Sequence, residues 1–294
     1  MRVVAAAVPA LAALLRHPRF EVLPLDGIEE EVHTHLLAAE AKVTVTASPN
    51  KGLEPTLDLA ERLAGAGYQT VPHLSARLVR DRAHLEDITA RLQAAGIREL
   101  FVPAGDASQA AGPFAGAAEL LTAMGSLRDQ FAEIGITGYP ESHHLIGDEE
   151  TIQAMFAKAP MATCIISQIC FDADVIAAWI AEVRRRGTDL PIWVGVPGTV
   201  DYAKLLRISI KIGLGESTRF LGHHRGWMRR LMTRQFKPDA LVEGLATRAA
   251  DVAGLHLYTF NEVARTERWR REALERLGEA GANSSNPSDN QAAR

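Results

Sequence analysis

From residue 19 onward, two patterns of hydrophobic and polar residues alternate along this chain. Short segments rich in β-branched and aromatic residues alternate with longer ones in which apolar side chains recur every three or four positions. We interpret the short segments as strands, at residues 19–25, 42–49, 69–75, 99–106, 136–141, 162–172, 192–197 and 255–261. A helical segment follows each strand, so the pattern predicts repeated βα units.

Capping residues and glycines mark the boundaries of the predicted helices. Asp81 is placed to cap a helix whose apolar face carries residues 85, 88, 92 and 95, and Gly96 is placed to end it. Asp172 or Asp174 caps a second helix, with residues 175, 176, 179 and 183 on its apolar face. Further glycines stand just before a predicted strand: Gly67, Gly135, Gly187 and Gly254.

Eight strands alternating with helices predict a (β/α)8 TIM barrel, an α/β fold. An open doubly wound sheet is the alternative, but its phosphate-binding glycine fingerprint is not in the sequence. We expect an N-terminal helix or extension at 1–18, the catalytic barrel at 19–277, and a disordered tail at 278–294. The stretch 212–237 is longer than a minimal connection and is expected to hold an extra helix and a mobile loop.

Composition and charge limit the binding partners and the cellular compartment that we expect for this protein. The 294 residues are 47% hydrophobic with a formal net charge of −4, which argues against nucleic-acid or anionic-membrane partners. Cys164 and Cys170 lie six positions apart in one apolar run, too far along a strand to bridge, so they are expected to be reduced core thiols. Residues 16–19 are unsuited to signal-peptide cleavage, so we expect a cytoplasmic protein.

Polar side chains gather at the carboxyl ends of the predicted strands, where TIM barrels carry their chemistry. A single such residue is more often a solvated strand end, but the set indicates a site. The set comprises Glu21, Thr46 to Asn50, His73, Ser75, Asp106, Tyr139, Glu141, His143, Gln168, Asp172, Tyr258, Thr259 and Asn261.

Metal and nucleophilic chemistry are disfavoured by spacing. His33 and His35 fall in the first barrel helix, where positions i and i+2 point apart. No HExxH or GxSxG motif occurs, and two thiols cannot build a structural zinc site. We therefore assign no metal. Carboxylates, an imidazole, a phenol and a carboxamide around one pocket suit acid–base chemistry beside an organic cofactor.

The ordered strand-end segments resemble the methylenetetrahydrofolate reductase family from about residue 19 to 276. The segments that carry the resemblance are Phe20-Glu21, Val45-Thr46, Pro72-His73-Leu74, Gly105-Asp106, Tyr139-Pro140-Glu141-Ser142-His143, Ser167-Gln168 with Phe171-Asp172, and Leu257-Tyr258-Thr259 with Asn261. Each is short, and together they occur in the family's order.

The resemblance implies reduction of 5,10-methylenetetrahydrofolate to 5-methyltetrahydrofolate by NADH or NADPH through FAD. Glu21 matches the family's general acid; the alternative is a partly buried strand-end carboxylate without a chemical role. Asp106 and Gln168 match folate-binding positions, as do Asn261 and, in place of a missing arginine, Arg265. The positions that match FAD-binding residues are Thr46, His73, Gly105, Asp106, Tyr139, His143 and Lys158.

Departures from the family pattern leave other functions open. Ala47, Ala104 and Gly116 stand where the family has larger cofactor contacts, which implies weakened FAD binding. The alternatives are a flavin-independent reductase, a pterin-binding barrel for methyl transfer, and a non-catalytic folate-binding protein. The basic stretch 219–237 suits an anionic folate, or is only a solvated helical face. Physiological direction and assembly into a homo-oligomer stay open.

Overall fold

The computed structural model of the chain describes residues 7–48, 50–141, 148–211, 235–248 and 251–284. The strands are β1 (Arg19–Val22), β2 (Lys42–Val45), β3 (Gln69–Pro72), β4 (Glu99–Phe101), β5 (Glu133–Gly138), β6 (Cys164–Ser167), β7 (Ile192–Pro197), β8 (Val200–Asp201), β9 (Gln235–Phe236) and β10 (Gly254–Tyr258). The α-helices are α1 (Val8–Arg16), α2 (Ile28–His35), α3 (Glu54–Gly65), α4 (Arg82–Ala94), α5 (Ala117–Met124), α6 (Asp148–Lys158), α7 (Ala173–Arg185), α8 (Tyr202–Lys211), α9 (Asp239–Arg248) and α10 (Val263–Ser284).

Eight parallel strands form one sheet in the order β3-β2-β1-β10-β7-β6-β5-β4. The two ends of this order meet where His73 and Phe101 form a parallel bridge, which nearly closes the sheet into a barrel. A helix follows each barrel strand, so the predicted (β/α)8 TIM barrel is confirmed. The remaining strands, β8 and β9, form a small antiparallel ribbon that the sequence pattern did not predict.

Alternation along the strands separates an outer core from the barrel interior. Outward side chains such as Phe20, Val22 and Leu257 belong to the main apolar core beneath the helices. Inward positions at the amino-terminal end carry charge: Arg19 is fully buried, lies 2.7 Å from Glu133 and sits over the ring of Trp193. Two residues further along β1, the next inward position is Glu21. The barrel interior therefore carries an ion pair at its amino-terminal end and polar side chains at its carboxyl-terminal end.

Seven of the eight barrel strands end earlier than the sequence predicts, whereas β7 has the predicted bounds. β6 ends at Ser167, β4 at Phe101 and β1 at Val22, because the chain leaves the ladder there to form the loops of the mouth. The polar residues that we placed at strand ends therefore lie at, or just beyond, the last hydrogen-bonded pair. β5 instead begins earlier than predicted, at Glu133, where it pairs with β4.

Helix boundaries largely follow the prediction. The carboxylates of Asp81 and Asp172 accept backbone N–H hydrogen bonds and cap α4 and α7 as expected. The apolar face of α7 was partly wrong: Val175 is exposed, and Ile180 is buried instead. Gly135 and Gly254 are not helix stops either, since they lie within β5 and β10.

The ends of the chain differ from the expected domain limits in one respect. Helix α1 matches the expected N-terminal helix, and α10 continues past Leu277 to Ser284, into the segment that we expected to be disordered. The rest of the expected tail, and residues 212–234, lie outside the described residues. Both cysteines are free and buried, as predicted. Among the described helices, none is long and apolar enough to cross a membrane.

Candidate functional site

Glu21 faces two buried histidines inside the mouth of the barrel. Its Oε2 lies 3.0 Å from Nε2 of His256 on β10 and 3.8 Å from Nε2 of His73 at the end of β3. The Glu21 side chain is 13% exposed, whereas His256 is fully buried. The residue predicted as the acid therefore has one hydrogen-bonded neighbour, one close imidazole and limited contact with solvent.

Burial shifts the pKa of all three side chains in this cluster toward their uncharged forms. Desolvation raises the pKa of Glu21 from 4.5 to about 7, although the nearby His73 opposes the shift. Desolvation also lowers the pKa of His73 to about 4 and that of His256 to about 3. A substantial fraction of Glu21 is therefore protonated at neutrality, and the two imidazoles beside it are neutral. A carboxyl in this state can donate a proton to a bound substrate.

The same three side chains form a group that could hold a metal ion, which we did not expect from the sequence. One ligand atom from each of Glu21, His73 and His256 lies within 4.8 Å of the others. The 3.0 Å separation between Glu21 and His256 is also an ordinary hydrogen-bond length, so that contact needs no ion. Nε2 of His73, which is buried and has no hydrogen-bond partner among the described residues, remains available to a ligand.

Two tyrosines and a lysine extend the site across the mouth. Tyr258 lies on the same face of β10 as His256, and its hydroxyl donates to the carbonyl of Ser167 at 3.2 Å. Burial, followed by the charge of Glu21 and then Tyr139, raises its pKa. Lys158, at the end of α6, donates to the hydroxyl of Thr137 on β5 at 3.1 Å. Tyr139 also bonds the Thr137 side chain, so Thr137 brings the predicted cofactor residues Tyr139 and Lys158 together.

Residues predicted to bind folate or cofactor on the other loops also face this mouth. Asp106 is exposed after β4, and its charge adds to burial, the larger cause, in raising the pKa of Tyr139. Gly105 before it has φ +90°, and a Cβ there would lie 2.9 Å from that of Ser75, so this loop requires glycine. Gln168 is half-buried, and its Oε1 accepts from the N–H of Ile169 at 2.8 Å.

The loop after β10 holds two of the predicted folate-binding residues in other interactions. The carboxamide of Asn261 accepts from the N–H of Leu23 at 2.8 Å and donates to its carbonyl at 3.0 Å. Asn261 and Phe260 both have positive φ, 63° and 52°, a sparsely populated conformation that often marks functional sites. Arg265 pairs with Asp201 at 3.1 Å. Asn261 therefore fixes the loop, and Arg265 would have to leave Asp201 to bind substrate.

The remaining residues singled out in the sequence are not part of the Glu21 cluster, or lie outside the described residues. Thr46 is half-buried at the end of β2, and its carbonyl accepts from the hydroxyl of Thr56. His33 and His35 lie on the exposed part of α2 beside Glu29 and Glu31, as expected for surface histidines. The predicted cofactor residue His143 and residues 219–234 of the basic stretch 219–237 lie outside the described residues.

Sequence reasoning missed His256; it placed Tyr258 in the strand-end set but assigned it no individual role. Both lie in an otherwise apolar strand, where a histidine is usually a satisfied core residue. The signal that could have found them is the two-residue alternation, because His256 and Tyr258 share a face and β10 is adjacent to β1. Thr137 was missed because it lies inside its strand, before the polar end.

The environment of Lys158 suits the binding of an anionic cofactor group. This lysine is 7% exposed, and among the described residues it forms no ion pair, only the hydrogen bond to Thr137. Burial lowers its pKa to about 8, so most of its charge persists at neutrality without a carboxylate partner. A buried cation of this kind fits an anionic group such as a cofactor phosphate.

Comparisons with known proteins identify a family by sequence. A family model described as methylenetetrahydrofolate reductase matches residues 31–214. Methylenetetrahydrofolate reductase 2 of Saccharomyces cerevisiae is 34% identical over 83 residues, 27% of this chain and 14% of that protein. Methylenetetrahydrofolate reductase 1 of Schizosaccharomyces pombe is 36% identical over 70 residues, 23% of this chain and 11% of that protein. The matched segments therefore span only a small part of these relatives.

Solved structures support the architecture alone. Oxaloacetate acetylhydrolase in complex with the inhibitor 3,3-difluorooxalacetate superposes with a TM-score of 0.52 at 12% identity, covering 96% of this chain and 91% of that one. At this identity the likeness concerns the fold and carries no information about substrate.

Proposed function

Because the chain belongs to the methylenetetrahydrofolate reductase family, we propose that it interconverts 5,10-methylenetetrahydrofolate and 5-methyltetrahydrofolate with NADH or NADPH. The single observation that carries this proposal is the desolvated Glu21 carboxyl at the barrel mouth, with a pKa of about 7. An acid that retains its proton at neutrality is what opening of the methylene bridge requires.

The proposed reaction balances one proton and one hydride. Glu21 gives its proton to the folate nitrogen that leaves when the bridging C–N bond breaks, which produces an iminium on the other nitrogen. A hydride that originates from NAD(P)H then reduces the iminium carbon to a methyl group, and NAD(P)⁺ is the oxidised product. Glu21 regains its proton from solvent through its exposed edge.

The other residues bind and orient. We assign Asp106 and Gln168 to the folate ring, since both carry polar groups at the mouth. Tyr139, Lys158, Thr46, His73, Gly105 and His143 are assigned to FAD, with Lys158 at its phosphates. When bound, FAD would accept hydride from the nicotinamide and pass it to the folate. Burial of His73 and His256 leaves only one edge of the Glu21 carboxyl open to water.

A flavin-independent form of the same reaction is the second candidate, and the loop after β4 favours it. Ala104 in this loop is exposed and supplies no charge. The guanidinium of Arg77 reaches the loop, but it donates to the carbonyls of Ala107, Ala115 and Ser108. That cation is therefore occupied by the protein's own backbone, and direct hydride transfer from NAD(P)H would need no flavin contact there.

We propose a cytoplasmic enzyme that acts on a small-molecule folate without nucleic acid or membrane partners. The buried free thiols are compatible with a reducing compartment. Methyl transfer on a bound pterin without redox chemistry, and folate binding without turnover, are the competing functions.

The deciding experiment combines a visible spectrum with an NAD(P)H oxidation assay, each with and without added FAD. Flavin bands with folate-dependent NAD(P)H oxidation support the FAD enzyme, and oxidation without bands supports the flavin-independent one. Folate binding with no NAD(P)H oxidation under either condition contradicts the reductase.

A further inference from the structure

His256 is the described residue that holds the Glu21 side chain by a hydrogen bond. Its Nε2 lies 3.0 Å from Oε2 of Glu21, while Nε2 of His73 stands at 3.8 Å, beyond hydrogen-bond distance. The hydroxyl of Tyr258, the next inward residue on β10, donates a hydrogen bond to the Ser167 carbonyl and not to Glu21. Within the described part of the chain, His256 is therefore the donor candidate that can fix the acid.

The surroundings of His256 favour one tautomer. Its Nδ1 is buried and has no hydrogen-bond partner in the described structure. If Nδ1 carried the hydrogen, a buried N–H would be left unpaired, which is rarer and costlier in proteins than an unpaired acceptor. We therefore place the hydrogen on Nε2, so that His256 donates to Oε2 of Glu21.

This orientation distinguishes the two oxygens of the acid. Both histidines face Oε2, and an oxygen that accepts an N–H bond is the poorer site for the carboxyl hydrogen. Oε1 is engaged by none of the described donors and belongs to a side chain that keeps 13% exposure. The titratable and charged groups around Glu21 and His256 are Arg19 on β1, His73 just after β3, Tyr258 on β10 and Tyr139 just after β5.

We propose that His256 is a positioning residue that donates its Nε2–H to Oε2 of Glu21 and thereby places the transferable proton on Oε1. This inference rests on the proposed function for its catalytic consequence, but the hydrogen bond itself can be measured without turnover. It goes beyond the assignment of Glu21 as the acid, because it states which oxygen is fixed and by which tautomer.

The test compares His256→Phe, which keeps a ring without nitrogen, with His256→Gln, whose amide N–H can reach a similar position. The first readout is the infrared band of the protonated carboxyl, followed as pH rises and assigned by its loss in Glu21→Gln. Removing an N–H that stabilises the ionised oxygen should raise the titration midpoint by about one pH unit or more in His256→Phe. His256→Gln should stay near the wild-type midpoint.

The second readout is the rate of folate reduction. His256→Phe should lower kcat about 100-fold with little change in the KM for NAD(P)H, because the acid is no longer held in line with its substrate. His256→Gln should recover most of that loss. Substitution of the exposed His33 by phenylalanine is the matched control and should change neither readout.

An unchanged infrared midpoint in His256→Phe, or a midpoint that moves to lower pH, overturns the proposal; the second result would mean that His256 accepts the proton of Glu21. If wild-type protein reduces no folate, the proposed function fails, while the infrared shift still tests the hydrogen bond. If His256→Phe does not fold, His256→Leu removes the same nitrogen with a smaller side chain.

Discussion

Replacing Glu21 by glutamine should make the protein more stable at pH 8, although it removes the proposed acid. The glutamine keeps the shape and polarity of a protonated carboxyl but cannot ionise. Above its pKa of about 7 the wild-type carboxyl must carry a charge in a desolvated site, whereas in the unfolded chain it ionises at about 4.5. The substitution removes that unfavourable charge.

The magnitude follows from the difference between the two pKa values. A folded pKa above the unfolded one means that the folded protein binds more protons between pH 4.5 and 7, so stability falls as pH rises through this window. Raising the Glu21 pKa from 4.5 to about 7 corresponds to a loss of about 3 kcal/mol in folding stability once the carboxyl is ionised. Glu21→Gln should therefore match the wild type near pH 4.5 and exceed it by up to about 3 kcal/mol at pH 8.

The assay is urea unfolding of both proteins at several pH values between 5 and 8. The lowered pKa values of His73 and His256 destabilise both proteins as pH falls, so most of that contribution cancels in the comparison. Glu30→Gln, an exposed position on α2, is the matched control and should show no pH-dependent difference. A Glu21→Gln protein no more stable than the wild type at pH 8 would refute the desolvation of Glu21.

Three further substitutions probe the supports of the site. Asn261→Ala should cost about 2 kcal/mol in urea unfolding, because two hydrogen bonds to Leu23 are lost at a positive φ; Asn261→Gly, which tolerates that φ, should cost less. Lys158→Gln should raise the Kd for FAD about tenfold or more by fluorescence titration, and wild-type affinity should fall as pH rises past about 8, where the lysine loses its proton; unchanged affinity would contradict the phosphate assignment. Arg19→Met should cost about 3 kcal/mol by leaving the partly buried Glu133 carboxylate unpaired, and adding Glu133→Gln should restore much of it; an additive loss would argue against the pair.

The barrel was predictable because its information is local. Strand and helix periodicities differ, and carboxylates such as Asp81 and Asp172 mark helix starts in the sequence itself. The strand ends were less predictable, because a polar residue after an apolar run gives the same sequence pattern whether or not the strand hydrogen bonds continue. The β8–β9 ribbon was missed because two-residue strands leave no periodic signal.

The site was predictable only in part because its contacts join distant strands. Glu21 and His73 could be placed at the mouth from their strand ends, but their approach to His256 depends on the closure of the barrel and on the adjacency of β1 and β10. For Asn261 the sequence position alone was not sufficient. It matches a substrate-binding residue of the family, yet its carboxamide is hydrogen-bonded to the Leu23 backbone. Sequence supplied the functional groups, and tertiary geometry decided which of them meet.

Turnover of methylenetetrahydrofolate by Glu21→Gln tests the central claim most directly. Folate binding and NAD(P)H oxidation are measured on the same preparations of the wild type, Glu21→Gln and the Glu30→Gln control. The account predicts that Glu21→Gln binds the folate with near wild-type affinity but reduces it at least about 100-fold more slowly. Full folate turnover by Glu21→Gln would show that another group supplies the proton.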